Sequence, residues 1–181
     1  MKTIATFLCF ILVFPFTTAM AQTNMIILTA AQVTSARDIE TAIETATAYG
    51  TRPGTVILDG SQGDFYYTGD DKSINLYYSN VTLQGDNGAT LANCDDGIFF
   101  DDFPNEHILI EGITFVCRGN GIAGWGGKFI LDRVIIRKNT IHAQGNGITM
   151  GSMKNWNILR SHLEAFAVLS IRASSRSLRY V

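Results

Sequence analysis

The feature that most constrains this chain is a tripeptide that returns at a nearly fixed interval. Asp96–Gly97–Ile98, Asn120–Gly121–Ile122 and Asn146–Gly147–Ile148 place their glycines 24 and then 26 residues apart. Apolar, β-rich stretches precede them: Val81–Thr82–Leu83, then Ile108–Leu109–Ile110 with Ile113–Thr114–Phe115, then Val134–Ile135–Ile136 with Thr140–Ile141. A fourth copy starts at Trp156–Asn157–Ile158–Leu159 and runs on to His162–Leu163. Repeats of this length, built of short strands with no helix between them, predict an all-β solenoid.

The physics behind that expectation is simple. Alternation puts every second side chain of a strand on one face, and strands this short cannot bury that face alone. Wrapping each repeat into a coil, and stacking coils about 4.8 Å apart, pairs every strand with its successor and lines the inward residues into columns. The glycine of each tripeptide is expected at a corner that needs φ > 0. A β-sandwich also has many short strands, but two-residue hairpin turns are scarce here and the repeat is about twice the usual strand-to-strand spacing.

Composition agrees and removes some functions. Lys+Arg number 14 against 16 Asp+Glu, a net charge of −2, so no basic face for nucleic acid is expected. With 46% hydrophobic and 17% charged residues, the chain is not of the disordered class. Its start reads as a secretory signal peptide: Lys2, the apolar run Phe7–Leu8–Cys9–Phe10–Ile11–Leu12–Val13–Phe14, and the small-residue site Ala19–Met20–Ala21. The run is shorter than the roughly 20 residues of a spanning helix, and no second one follows. Cleavage after Ala21 removes Lys2, so 13 basic residues against 16 acidic ones give −3. The mature chain is then expected to be secreted, periplasmic or at the cell surface, with no membrane span. Cys94 and Cys117 remain in it, 23 residues apart and close to one repeat. Exported proteins permit such a pair to oxidise, and neighbouring coils bring the two within disulfide reach.

Upstream the period changes. Within Asp38–Ala46 the apolar residues Ile39, Ala42, Ile43 and Ala46 are spaced three and four apart, one face of an amphipathic helix with Asp38 capping its start. Ahead of a solenoid such a helix covers the open end of the first coil. The expected organisation is a signal peptide over 1–21, an N-terminal segment with the capping helix over 22–50, coils over 51–168 and an atypical basic tail over 169–181.

The order of the helix "DIETAIETA", the strands "GTVILDG" and "NVTLQG" and the "GI"-punctuated coils resembles the start of the pectate-lyase-like, or pectin-lyase-fold, superfamily. The resemblance runs from about Ala36 to Leu163 and implies a right-handed parallel β-helix. It also implies a secreted role on acidic or neutral polysaccharides, although adhesins and phage tail proteins belong to the same superfamily. The "WIDH"-like segment and the "RxPxxR" arginine of pectate lyases are absent. Of the polygalacturonase series only the acidic dipeptide occurs, with no His–Gly, and Arg137–Lys138 lacks the intervening Ile. No catalytic residue of the superfamily carries over.

Three groups of residues are candidates for chemistry. Asp95–Asp96 and Asp101–Asp102 flank Gly97–Ile98–Phe99–Phe100. Paired carboxylates can hydrolyse a glycosidic bond or hold Ca²⁺ as a cofactor; Asp is also a common turn former. Arg118, Arg133, Arg137, Lys138 and His142 lie on two successive coils, where they can bind a uronate carboxylate beside the base of a lyase or form a solvated face that discourages edge pairing. The aromatics Tyr66, Tyr67, Tyr77, Tyr78, Trp125 and Trp156 exceed what narrow coils bury, and exposed rings stack on sugars; the alternative is packing of loops on the exterior.

The expected partner is therefore a polysaccharide. The chain is either a lyase or hydrolase of an acidic glycan, or a non-catalytic, adhesin-like module or fragment that only binds. The last ten residues, Arg172 to Val181, hold three Arg and three Ser with no acid and no Gly. They break the pattern, as if a longer solenoid were cut or lost its frame after about Val168. An uncapped final coil would offer open strand edges and self-associate.

Overall fold

A computed structural model describes residues 24–100, 105–124 and 132–150 in full, and the backbone of 131, 153–154, 157–159, 162–171 and 179–180. The expected leader, Asp101, Asp102, Trp125, Trp156 and the side chains of the basic tail lie outside the described residues.

Strand β1 (Asn24–Thr29) leads through a single 3-10 turn into α1 (Ala36–Thr47). Then come triplets of short strands. The first is β2 (Gly54–Asp59), β3 (Phe65–Tyr66) and β4 (Ile74–Leu76). The second is β5 (Val81–Asp86), β6 (Thr90–Cys94) and β7 (Ile98–Phe100). The third is β8 (Glu106–Glu111), β9 (Thr114–Cys117) and β10 (Ile122–Gly124). In the fourth, β11 (Leu131–Arg137) is followed by one long strand, β12 (Thr140–Met150). Short pieces close the chain: β13 (Met153–Lys154), β14 (Asn157–Leu159), β15 (His162–Ile171) and β16 (Arg179–Tyr180).

The fold is mostly β, with two parallel sheets and, among the described residues, one α-helix. The first sheet runs β1-β2-β5-β8-β11-β14-β16, with β13 beside β11. The second runs β3-β6-β9-β12-β10-β7-β4, with β15 beside β12. Strand β12 belongs to both arms of the second sheet: Thr140–Ala143 pairs with β9, and Ile148–Met150 with β10.

Because each strand pairs with its equivalent one repeat later, like residues stack. Val56, Leu83, Ile110 and Ile136 form one buried column, and Phe65, Leu91, Phe115 and Ile141 a second. Ile74, Ile98, Ile122 and Ile148 form the third. Helix α1 packs on β1, β2 and β4 through Ile39, Ala42, Ile43 and Ala46, as its three-and-four spacing predicts.

The helix starts three residues earlier than expected. Ser35, not Asp38, is the N-cap, and Asp38 closes a capping box from the third helical position. Its Oδ2 accepts from the backbone N–H groups of Thr34 at 2.8 Å and Ser35 at 2.9 Å. Partial burial opposes the charge, but these bonds outweigh it and hold the carboxyl below its ordinary value. Glu40 is buried and ties the helix to β4: its Oε1 accepts from Asn75 N at 2.6 Å and Nδ2 at 3.0 Å, while Oε2 pairs with Arg37 at 3.0 Å.

The tripeptide glycines also work differently from expectation, because none of the three has a positive φ. A Cβ on Gly97 would strike the Gly121 carbonyl and the Phe115 ring, and one on Gly121 would strike Ile141 and the Gly147 carbonyl. Gly97 and Gly121 are glycines because neighbouring repeats approach too closely for a side chain. The left-handed corners fall elsewhere. Asn80, His107 and Arg133 occupy one register position, just before β5 and within β8 and β11, with φ of 62°, 57° and 55°.

Two measurements check this packing. Phe115→Ala empties the middle of a buried column and is expected to lower unfolding stability by about 3–5 kcal/mol in urea titration; a loss under about 1 kcal/mol would contradict the column. Asp38→Asn is expected to cost about 0.5–1 kcal/mol at pH 7. A depressed carboxyl stabilises only while ionised, so this loss fades as pH falls below the ordinary 3.8 and through the folded value. A gap between the two proteins that widens on acidification would be the wrong sign.

Candidate functional site

The outward face of the second sheet carries an in-register row in which Tyr66 and Val116 are exposed and Ala92 and His142 are half-buried. Tyr66 on β3 is in register with Ala92 on β6, Ala92 with Val116 on β9, and Val116 with His142 on β12. Four parallel positions at about 4.8 Å span roughly 14 Å. Tyr66 and Val116 are 58% and 42% exposed, among the most open large apolar side chains of the described residues. The row offers a ring face, two small or branched aliphatic groups and an imidazole, all on strands whose opposite faces are locked in the core.

Beside the row the backbone bulges. Register shifts between Ala92 and Cys94, and Asn93 adopts φ 62°. Asn93 Nδ2 donates to the Tyr67 carbonyl at 3.1 Å, and Asn93 Oδ1 accepts from an Arg118 Nη2 at 2.8 Å. One guanidinium N–H is thereby engaged; guanidinium carries five in all, and Arg118 is exposed. Directly behind, Cys94 and Cys117 are in register and joined as a disulfide, with Cα atoms 4.6 Å apart. Both are buried. This cross-link ties β6 to β9 where the bulge sets the direction of Arg118, so the polar edge of the row is held on rigid backbone.

The remaining candidates separate. Asp95 and Asp96 do not act as a pair. Asp96 is half-buried in a side-chain ladder one repeat per rung: its backbone N–H donates to Ser73 Oγ at 3.0 Å, and its Oδ1 accepts from Asn120 N at 2.5 Å and Nδ2 at 3.0 Å. Asn120 Oδ1 in turn accepts from Asn146 N at 3.1 Å and Nδ2 at 3.0 Å. The repeating Asp/Asn of the tripeptide thus caps the close backbone approach next to each glycine. Asp95 is exposed outside that ladder. Among the described residues no group of three or more His, Cys, Asp or Glu gathers to hold a metal ion.

The basic residues do not form a shared cationic row either. Arg133 pairs with Glu106 at 2.5 Å and with Asp132 at 3.6 Å, and Arg137 with Glu111 at 2.5 Å. The two glutamate pairs lie on the first sheet and bridge β8 to β11, away from β9, which Arg118 follows, and from β12, which carries His142. Arg133 and Lys138, with φ of 55° and 56°, stand at left-handed corners flanking the regular part of β11. Exposed ion pairs contribute roughly 0–1 kcal/mol, so their main effect is to fix register.

The aromatics divide as well. Tyr67 is fully buried, contrary to its expected exposure, and its hydroxyl has no hydrogen-bond partner among protein atoms. Burial first, then the nearby Asp71, Glu40 and Asp38 carboxylates, pushes its ionisation far up, so it is a neutral core phenol. Tyr77 and Tyr78 stay near the surface with Tyr49. Ala92, Asn93, Val116 and Tyr49 carried no motif in the sequence. Applying the repeat to outward rather than inward positions would have aligned Tyr66, Ala92, Val116 and His142.

No family model, curated protein or solved structure matches the chain.

The two acidic neighbours give a direct check on their roles. Asp96→Ala is expected to cost about 1–3 kcal/mol by unhousing the Asn120 donors, whereas Asp95→Ala stays within about 0.5 kcal/mol. Urea unfolding of both proteins measures this, and the reverse order would contradict the ladder.

Proposed function

We propose that this chain is an exported right-handed parallel β-helix, similar to the pectate-lyase-like superfamily, that binds an acidic polysaccharide along the Tyr66–Ala92–Val116–His142 row. The parallel, in-register stacking of strand triplets supports the β-helix. The row supports the binding, and it is the observation that carries the reading. Its positions repeat at strand spacing, comparable to the length of one pyranose, so a linear polymer can lie across the strands in matching steps. The Tyr66 ring offers a face for the C–H side of a sugar. Arg118 offers the planar fork that suits a uronate carboxylate, and His142 adds a polar group at the far end.

Binding is preferred to catalysis on the residues themselves. The Asp96 carboxylate is held by Asn120, and Arg133 and Arg137 are held by Glu106 and Glu111. Acid–base chemistry needs convergent groups within one pocket, and those side chains diverge.

The test is retention on immobilised or soluble polygalacturonate. Tyr66→Ala is expected to weaken binding about two- to tenfold, the value of one aromatic contact. Arg118→Ala should weaken binding to polygalacturonate, with reduced salt dependence, and leave neutral glucans unaffected. Unchanged binding by the Tyr66→Ala, Arg118→Ala double variant would overturn the assignment. So would release of unsaturated or reducing-end product at a rate that survives the same double variant.

A further inference from the structure

The turn that ends α1 is held in a conformation its side chains disfavour. Ala48, Tyr49 and Gly50 follow one another with φ of 46°, 57° and 80°. Only the third is the residue that position favours; a β-carbon is strained there, and a bulky one is a true outlier. The surroundings enforce it. Asn80 Nδ2 donates to the Gly50 carbonyl at 2.8 Å, Gly50 N–H donates to Thr47 Oγ1 at 3.0 Å, and Tyr49 N–H donates to the Glu44 carbonyl at 2.9 Å.

Burial does not explain why a tyrosine stands at that position. Tyr49 is 68% exposed, the largest value among the exposed large hydrophobic side chains of the described residues. Its ring meets Tyr78 edge to face, with centroids 5.8 Å apart and planes at 79°. Tyr78 meets Tyr77 in the same manner, at 6.4 Å and 72°. The Tyr78 phenol hydrogen-bonds with Glu44, whose carboxylate pairs with Arg37 at 2.9 Å. The result is a run of three rings in successive edge-to-face contact, with the Tyr49 ring open to solvent and the Glu44–Arg37 pair beside Tyr78. Strain that persists under such enforcement concentrates at ligand clamps.

We propose that Tyr49, backed by Tyr78 with Tyr77 behind it, is a second carbohydrate subsite that stacks one pyranose of a glycan on the open Tyr49 ring. The inference rests on the polysaccharide reading and adds to it a site at the helix-capped end, where the turn between α1 and β2 carries Tyr49 and the segment between β4 and β5 carries Tyr77 and Tyr78, rather than on the row of the second sheet. A pyranose fits the chemistry: its apolar C–H face suits the ring, and its hydroxyls suit the phenols and the Glu44–Arg37 pair at the rim.

The experiment uses the full mature chain with polygalacturonate as the probe and reads both Kd and Tm. Tyr49→Gly removes the ring and relieves the left-handed strain, so Tm is expected to hold or rise while Kd weakens about fivefold. Tyr49→Trp is expected to keep the wild-type Kd. A fall in Tm with Kd unchanged would make Tyr49 a packing residue and overturn the subsite. If Tyr66→Ala still weakens binding in that case, the polysaccharide reading stands alone. If the wild-type chain binds none of polygalacturonate, alginate, xylan and cellulose, the reading and the subsite fall together.

Discussion

The backbone ladder between parallel strands one repeat apart is the constraint on which the rest depends. Each short strand, three to seven residues in most cases, has too little apolar face to be stable alone. Pairing with its equivalent before and after it satisfies its N–H and C=O groups and places Leu83 on Val56, Phe115 on Leu91 and Ile122 on Ile98. A slip by one residue would turn every one of these side chains to the solvent.

Several devices guard against that slip, and each works across one repeat. The Ser73–Asp96–Asn120–Asn146 ladder fixes the second sheet where the glycines let backbones close up. The Cys94–Cys117 disulfide ties β6 to β9 at the bulge. On the first sheet Glu111–Arg137 and Glu106–Arg133 bridge β8 and β11. At the start, Glu40 binds α1 to Asn75 so that the helix covers the first apolar layer. Many residues that carry charge or hydrogen-bonding capacity are thus committed to register, while Tyr66, Val116 and Tyr49 are turned outward.

The legible part of the sequence was the part governed by period. Ile39, Ala42, Ile43 and Ala46 gave the buried helix face, and the recurrent strands gave the parallel stacking. The glycine tripeptides were located correctly as structural markers, yet their reason was steric closeness rather than a left-handed φ. That distinction depends on what faces the Cβ from the next repeat, which no local pattern reports. The same limit applies to the acidic and basic candidates. Asp96 resembles a catalytic carboxylate until Asn120 is seen 24 residues on, and Arg137 resembles a substrate clamp until Glu111 is seen beside it.

By itself the sequence determined a repeating, strand-rich chain with an amphipathic helix ahead of it, because side-chain periodicity is a property of the local backbone. Only the tertiary structure decided which polar side chains are consumed in holding the repeats together and which face outward. Tyr66 and Tyr67 make the point: they are adjacent and chemically identical, and one is 58% exposed while the other is wholly buried. Alternation sends neighbours to opposite faces, but which face becomes the interior is set by the strands stacked above and below.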